Sequence, residues 1–139
     1  MKKLNENIEH IIKNHKRIAV VGLSDKPYRS SFGIALLMQQ AGYQIIPVNP
    51  NVDEVLGEKS YPSLLDIPGD IDLVDVFRRA EEVDAVVDQA IQKGAKALWM
   101  QSGIVNHTAA QKALEAGMDV VMDRCWGVEY RMNPAVVNA

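Results

Sequence analysis

Several things are scarce in this sequence, and each scarcity excludes something. One cysteine, Cys125, stands among 139 residues. No disulfide can close within the chain, and a reducing, cytoplasmic setting is expected. No apolar run approaches the ~20 residues that span a bilayer. The N-terminal MKKLNENIEHIIKNHKR is basic but lacks the continuous apolar centre of a secretory leader, so no membrane partner is expected. The three histidines, His10, His15 and His107, have no cysteine or histidine at ligand spacing, and no metal site is predicted. A net charge of −3 argues against nucleic acid as the partner. No GxSxG elbow is present to support a serine nucleophile. Most telling, the glycine-rich dinucleotide fingerprint is absent where it would belong. Counting from Gly22, GxGxxG needs glycine at the positions of Ser24 and Pro27.

What is present is ordinary in amount and specific in arrangement. The composition, 47% hydrophobic and 24% charged, is that of a soluble globular protein. The length fits one domain over 1–139, with an N-terminal helix within 1–16 and a C-terminal tail over 126–139. Apolar residues at helical spacing (Leu4, Ile8, Ile11, Ile12) predict an amphipathic helix over 4–15. Five apolar, β-branched segments follow at 17–22, 43–48, 72–77, 96–100 and 118–122. Helical segments at 31–40, 81–93 and 107–116 alternate with them, the last two closed by Gly94 and Gly117. The longer connection 51–70 is expected to hold a short edge strand near 59–61 and a helical turn near 63–66.

This alternation predicts an α/β, three-layer Rossmann-like fold, a five-stranded mainly parallel sheet of order 3-2-1-4-5 with helices on both faces. Ligands of such sheets sit beyond the carboxyl ends of the strands, at a switch point predicted between the first and fourth strands.

The stretch IAVVGLSDKPYRSSFG, residues 18–33, is strand, polar loop and helix start. Residues 1–29 carry seven Lys/Arg against three Asp/Glu, a net of +4; the remaining 110 carry eight against fifteen, a net of −7. Lys26 and Arg29 place part of that basic charge in the loop. Ser24, Ser30 and Ser31 offer hydroxyls, and a helix start offers free N–H groups to an anion. Ser30 or Ser31 capping the helix is the plainer role, compatible with the first.

The second strand ends in Val48-Asn49-Pro50, where NAD-binding folds place an acid for the ribose hydroxyls. Phe77, at the end of the third, offers a face for an adenine, with Arg78 and Arg79 beside it. Gly103, after Trp99-Met100-Gln101-Ser102, allows close approach of a ligand. Cys125 beside Arg124 is a candidate reactive thiol, although inert burial is the commoner fate of a lone cysteine.

At these residues the chain resembles the stand-alone CoA-binding protein family and the N-terminal nucleotide-binding domain of succinyl-CoA synthetase alpha subunits. The stretches that carry the likeness are VVGLSDKPYRSS, YQIIPVNP, GEKSYPSLLDIP, IDLVDVFRR, GAKALWMQSGI and VVMDRC, in order from residue 17 to 125. The resemblance implies a Rossmann-type domain that binds coenzyme A or an acyl-CoA. It would set Gly22, Ser24, Lys26, Pro27, Arg29 and Ser31 against the phosphates. Asn49, Pro50 and Phe77 would frame the adenosine, with Arg78 or Arg79 near, and Met100, Gln101 and Gly103 would lie along the pantetheine. The synthetases also need a domain with a phosphorylated histidine and a nucleotide-binding partner subunit, so ligase activity is not expected to carry over, and no catalytic residue is identified. Two other readings remain: a small NAD(P)-dependent oxidoreductase, and thiol chemistry between Cys125 and CoA. No protein partner follows from the sequence.

Overall fold

The strand Gln44–Val48 (β2) contains Pro47, which has no N–H to offer a neighbouring strand, and β2 lies at the edge of the sheet. In the computed structural model, which describes residues 1–133, the chain begins with a helix over Ile8–Asn14 (α1) and enters the sheet at Arg17–Val21 (β1). Ser30–Gln40 (α2) leads to β2. A two-strand hairpin, Glu54–Val55 (β3) and Glu58–Lys59 (β4), and a 3-10 turn over Leu64–Asp66 fill the next connection. Leu73–Val76 (β5), Val83–Lys93 (α3), Ala97–Met100 (β6), His107–Glu115 (α4), Asp119–Met122 (β7) and Trp126–Arg131 (α5) complete it.

The main sheet is parallel throughout, in the order β2-β1-β5-β6-β7. Counted by its five principal strands this is 2-1-3-4-5, not the predicted 3-2-1-4-5. Pro47 gives the physical reason, because the predicted order needs a neighbour on each side of the second strand. Its outer edge instead meets a short extended residue: the Tyr61 N–H donates to the Pro47 carbonyl at 3.0 Å, and Val48 bridges to Tyr61. The chain then crosses β1 and pairs β5 on its far side. The switch point therefore falls between β1 and β5, as it does in other sheets of this order.

Side chains alternate between two faces. One face packs Ala19, Val21, Val74, Val76, Leu98 and Met122 against the 3-10 turn, α3 and α4. The other packs Ile18, Val20, Ile45, Trp99 and Val121 with α1, α2 and α5. Residues 126–131, expected as tail, are helical. Trp126 is fully buried, stacked on Tyr130 at 5.1 Å and edge-on to Tyr43 at 5.0 Å. Residues 134–139 of the expected tail lie outside the described residues. The hairpin begins upstream of the edge strand expected at 59–61, and the N-terminal helix is shorter than its apolar pattern suggested.

Candidate functional site

The loops leaving β1 and β5 meet at the switch point. The Gly22 N–H donates to the Val48 carbonyl at 2.8 Å, and the Phe77 N–H donates to the Val21 carbonyl at 2.9 Å. Gly22 has φ +87°, and a β-carbon there would stand 2.8 Å from the Phe77 carbonyl oxygen. Only glycine satisfies both constraints without displacement.

Serine hydroxyls shape the loop beyond it. Buried Ser31 accepts from the Ser24 N–H at 3.0 Å, and the Ser24 hydroxyl accepts from the Lys26 N–H at 3.0 Å. The cap residue of α2 is Arg29, and no side chain caps the helix. Its first intrahelical bond runs from the Gly33 N–H to the Arg29 carbonyl at 3.2 Å. The first turn has no acid. Ser31 thus ties the loop rather than capping the helix, and the helix start is left to an outside acceptor. An open cavity of about 400 Å³ lies over it, lined by Gly22, Ser24, Arg29, Ser30, Ser31 and Phe77.

A second cavity, about 610 Å³, continues along α2. It shares Ser30 and Phe77 with the first, and Gly33, Ile34, Leu37 and Ile104 form its apolar wall. Gln101, Ser102, Cys125 and Arg131 supply the rest. Gly127 lets α5 seat on this wall: a β-carbon there would come within 3.0 Å of Ile34 Cδ1 and 3.2 Å of Leu37 Cδ2.

Gln101 is also a strut. Its Nε2 donates to Asp75 Oδ1 at 2.6 Å, and its Oε1 accepts from the Trp126 N–H at 3.2 Å. Asp75 is fully buried in β5, between Val20 and Trp99 in register. Burial pushes its carboxyl up to about 7, against the opposing pull of the Gln101 hydrogen bond. The start of α5, and with it one wall of the second cavity, hangs on this buried acid through one amide side chain.

Of the residues expected at a site, Gly22, Ser24, Arg29, Ser31 and Phe77 come together around the first cavity, and Gln101 joins Phe77 at the second. Lys26 and Pro27 are exposed in the loop outside both, with Lys26 Nζ 4.0 Å from Asp25. Asn49 acts within the protein: its Nδ2 donates to the Leu23 carbonyl at 3.0 Å and its Oδ1 accepts from the Asn51 N–H at 2.9 Å. Pro50 is exposed beside it. Arg78 lies against Gly22 but lines a smaller cavity of about 200 Å³ with Val21 and Val48. Arg79 is exposed at the start of a 3-10 turn. Met100 is fully buried in the core, and the exposed Gly103 gives its N–H to Asp123 Oδ1 at 2.7 Å.

Sequence reasoning missed Ile34, Leu37, Ile104, Arg131 and Asp75. The apolar residues of α2 read equally as core. Arg131 sat in a presumed tail. The available signal for Asp75 was an acid in the middle of a strand with apolar neighbours on both sides.

A CoA binding domain model matches residues 16–131. The chain is 49% identical over 123 residues to the protein YneT of Bacillus subtilis (strain 168), covering 88% of this chain and 91% of that one. It is 40% identical over 83 residues to the acetate–CoA ligase [ADP-forming] II of Archaeoglobus fulgidus, covering 58% of this chain but only 12% of the ligase. Among solved structures, a hypothetical protein from Pyrococcus horikoshii OT3 superposes with a TM-score of 0.88 at 43% identity, over 91% of this chain and 89% of that chain.

Proposed function

The chain belongs to the CoA binding domain family, and from that premise we propose that it holds coenzyme A or an acyl-CoA across the two adjoining cavities, without a reaction of its own. The diphosphate sits over the start of α2, taking the first-turn N–H groups and Arg29. The pantetheine passes Ser30 and Phe77 into the apolar cavity and brings its thiol end toward Cys125. Arg78, beside Gly22, is placed to meet the 3′-phosphate, and the adenosine lies over the exit of β2 at Asn49 and Pro50.

One observation carries this reading. A cationic cavity over an uncapped helix start adjoins an apolar one, the two sharing Ser30 and Phe77 in their walls. A ligand with a diphosphate at one position and a long, weakly polar arm beyond it fits that sequence of surfaces. A dinucleotide is disfavoured by the missing glycines of the loop and by Asn49 where an acid would hold the ribose. Among the described residues that line the two cavities, the ionisable side chains are Arg29, Cys125 and Arg131.

A thermal-shift series with CoA, dephospho-CoA, acetyl-CoA, NAD and NADP at equal concentration tests the proposal. Ligand at a hundred times its dissociation constant stabilises by about 2.7 kcal/mol. The expected order is CoA and acetyl-CoA above dephospho-CoA, with NAD and NADP lowest. A larger shift with NAD or NADP than with CoA contradicts the proposal.

A further inference from the structure

The opposite end of the sheet brings together three side chains that the sequence keeps far apart. His10 lies in α1, His15 follows that helix, and Asp119 opens β7. One donor atom from each lies within 4.8 Å of the others. We propose that His10, His15 and Asp119 bind a divalent transition-metal ion of the zinc class.

Two imidazoles and a carboxylate are the donor types that such ions take, with metal–ligand distances of about 2.0–2.2 Å. Donors around an ion of that size stand roughly 3–3.5 Å apart, by the tetrahedral geometry, so the cluster needs to close by up to about 1.5 Å. Its surroundings already orient the ligands. The Asn7 side chain donates to Asp119 Oδ1 at 2.7 Å, leaving the second carboxylate oxygen available. Asn14 Nδ2 donates to the His10 carbonyl and lies 3.0 Å from His10 Nδ1; for Nε2 to bind a metal the ring must carry its proton on Nδ1, so the Asn14 amide has to turn its oxygen toward that nitrogen. Outer-sphere bonds of this kind hold ligating rings and carboxylates in place.

A second observation is independent of the clustering. His15 is 6% exposed, yet its Nε2 has no hydrogen-bond partner among the described residues. Buried polar atoms are rarely left so. Lys2 Nζ stands 3.4 Å from Asp119 Oδ1 and is half-exposed, so an arriving cation displaces it into water. His10 is exposed, which gives the ion a way in. His15 leads into the start of β1 and Asp119 opens β7, so the site lies at the end of the sheet opposite the strand exits that form the coenzyme groove.

The test is a titration of chelator-treated protein with Zn²⁺ and, separately, with Co²⁺, whose visible absorption reports its coordination. One ion per chain is expected, with a raised melting temperature under Zn²⁺ and Co²⁺ bands typical of nitrogen and oxygen ligands. His10→Ala removes an exposed ligand without opening the core, and Asp119→Asn keeps the side-chain shape. Each is expected to weaken binding at least tenfold while circular dichroism shows an intact fold. His107→Ala, on an exposed part of α4, is expected to bind as wild type does. No saturable binding by the wild type, or affinity unchanged in both His10→Ala and Asp119→Asn, overturns the proposal.

Discussion

Gly22 and Phe77 are locked together by the absence of a side chain: a β-carbon on Gly22 would lie 2.8 Å from the Phe77 carbonyl oxygen. The contact joins the two loops that flank the switch point, so the strand ends and the start of α2 are set by one close approach of backbone to backbone. Gly22→Ala meets both this clash and a φ of +87°. We expect a loss of roughly 1–3 kcal/mol in stability from the strained backbone alone, seen as a lower denaturant midpoint. CoA affinity should fall with it, because Phe77 and α2 can no longer keep their spacing.

Arg29 and Lys26 separate charge at the site from charge near it. Arg29 lines the first cavity, whereas Lys26 is exposed in the loop beside Asp25. A hydrogen bond to a charged group contributes about 1.5–3 kcal/mol. Arg29→Ala is therefore expected to weaken CoA binding by roughly one to two orders of magnitude. Lys26→Ala should cost only a small factor that disappears at high salt. Calorimetric titrations of both variants at two ionic strengths check the difference.

Ser31 is buried and accepts the Ser24 N–H. Ser31→Ala leaves that N–H without its partner, at an expected cost of about 1–3 kcal/mol. Ser30→Ala, at an exposed position with no such bond, should change stability little. Comparing the two melting temperatures tests whether the loop is held from inside by one hydroxyl.

Asp75 gives the protein a pH dependence of definite sign. Its carboxyl is raised from 3.8 to about 7 by burial. Between those two values the unfolded chain releases the proton while the folded chain keeps it. This contribution to stability is largest below about pH 4 and is lost as pH rises toward 7. The full effect is at most on the order of 4 kcal/mol. Asp75→Asn keeps an acceptor for Gln101 and has no proton to release. The variant should be more stable than wild type at pH 8, and its stability between pH 4 and 8 should be flatter. Denaturant melts across that range decide it; a variant with the wild-type slope excludes Asp75 as the source.

The local elements were legible in the sequence because each rests on short-range physics. The β-branched runs, and the glycines that close α3 and follow α4, mark strands and helix ends within a few residues. The order of the strands was not legible from alternation, which gives crossover handedness but not the direction in which the sheet grows. Pro47 held that information, since a strand with a missing donor belongs at an edge. The polar half of the site was legible in Gly22, Ser24, Arg29 and Ser31, which lie close together in the chain. Its apolar half was not, because Ile34 and Leu37 look like core until α5 is seen to pack on them through Gly127. Asn49, read as a place for a ligand, has a structural role that the sequence did not show, since its Nδ2 donates to the Leu23 carbonyl. The meeting of His10 and His15 with Asp119 was beyond any spacing rule, because β7 brings in the third residue from the far end of the chain.

The most direct test of the coenzyme site is a backbone amide NMR titration of the whole chain with CoA. Saturable shifts are expected to centre on residues 22–33, on Phe77 and Arg78, and on 101–104 and 125–131, while the amides around His10, His15 and Asp119 stay still. Shifts centred elsewhere on the molecule, or none at CoA concentrations that saturate the thermal response, would contradict it.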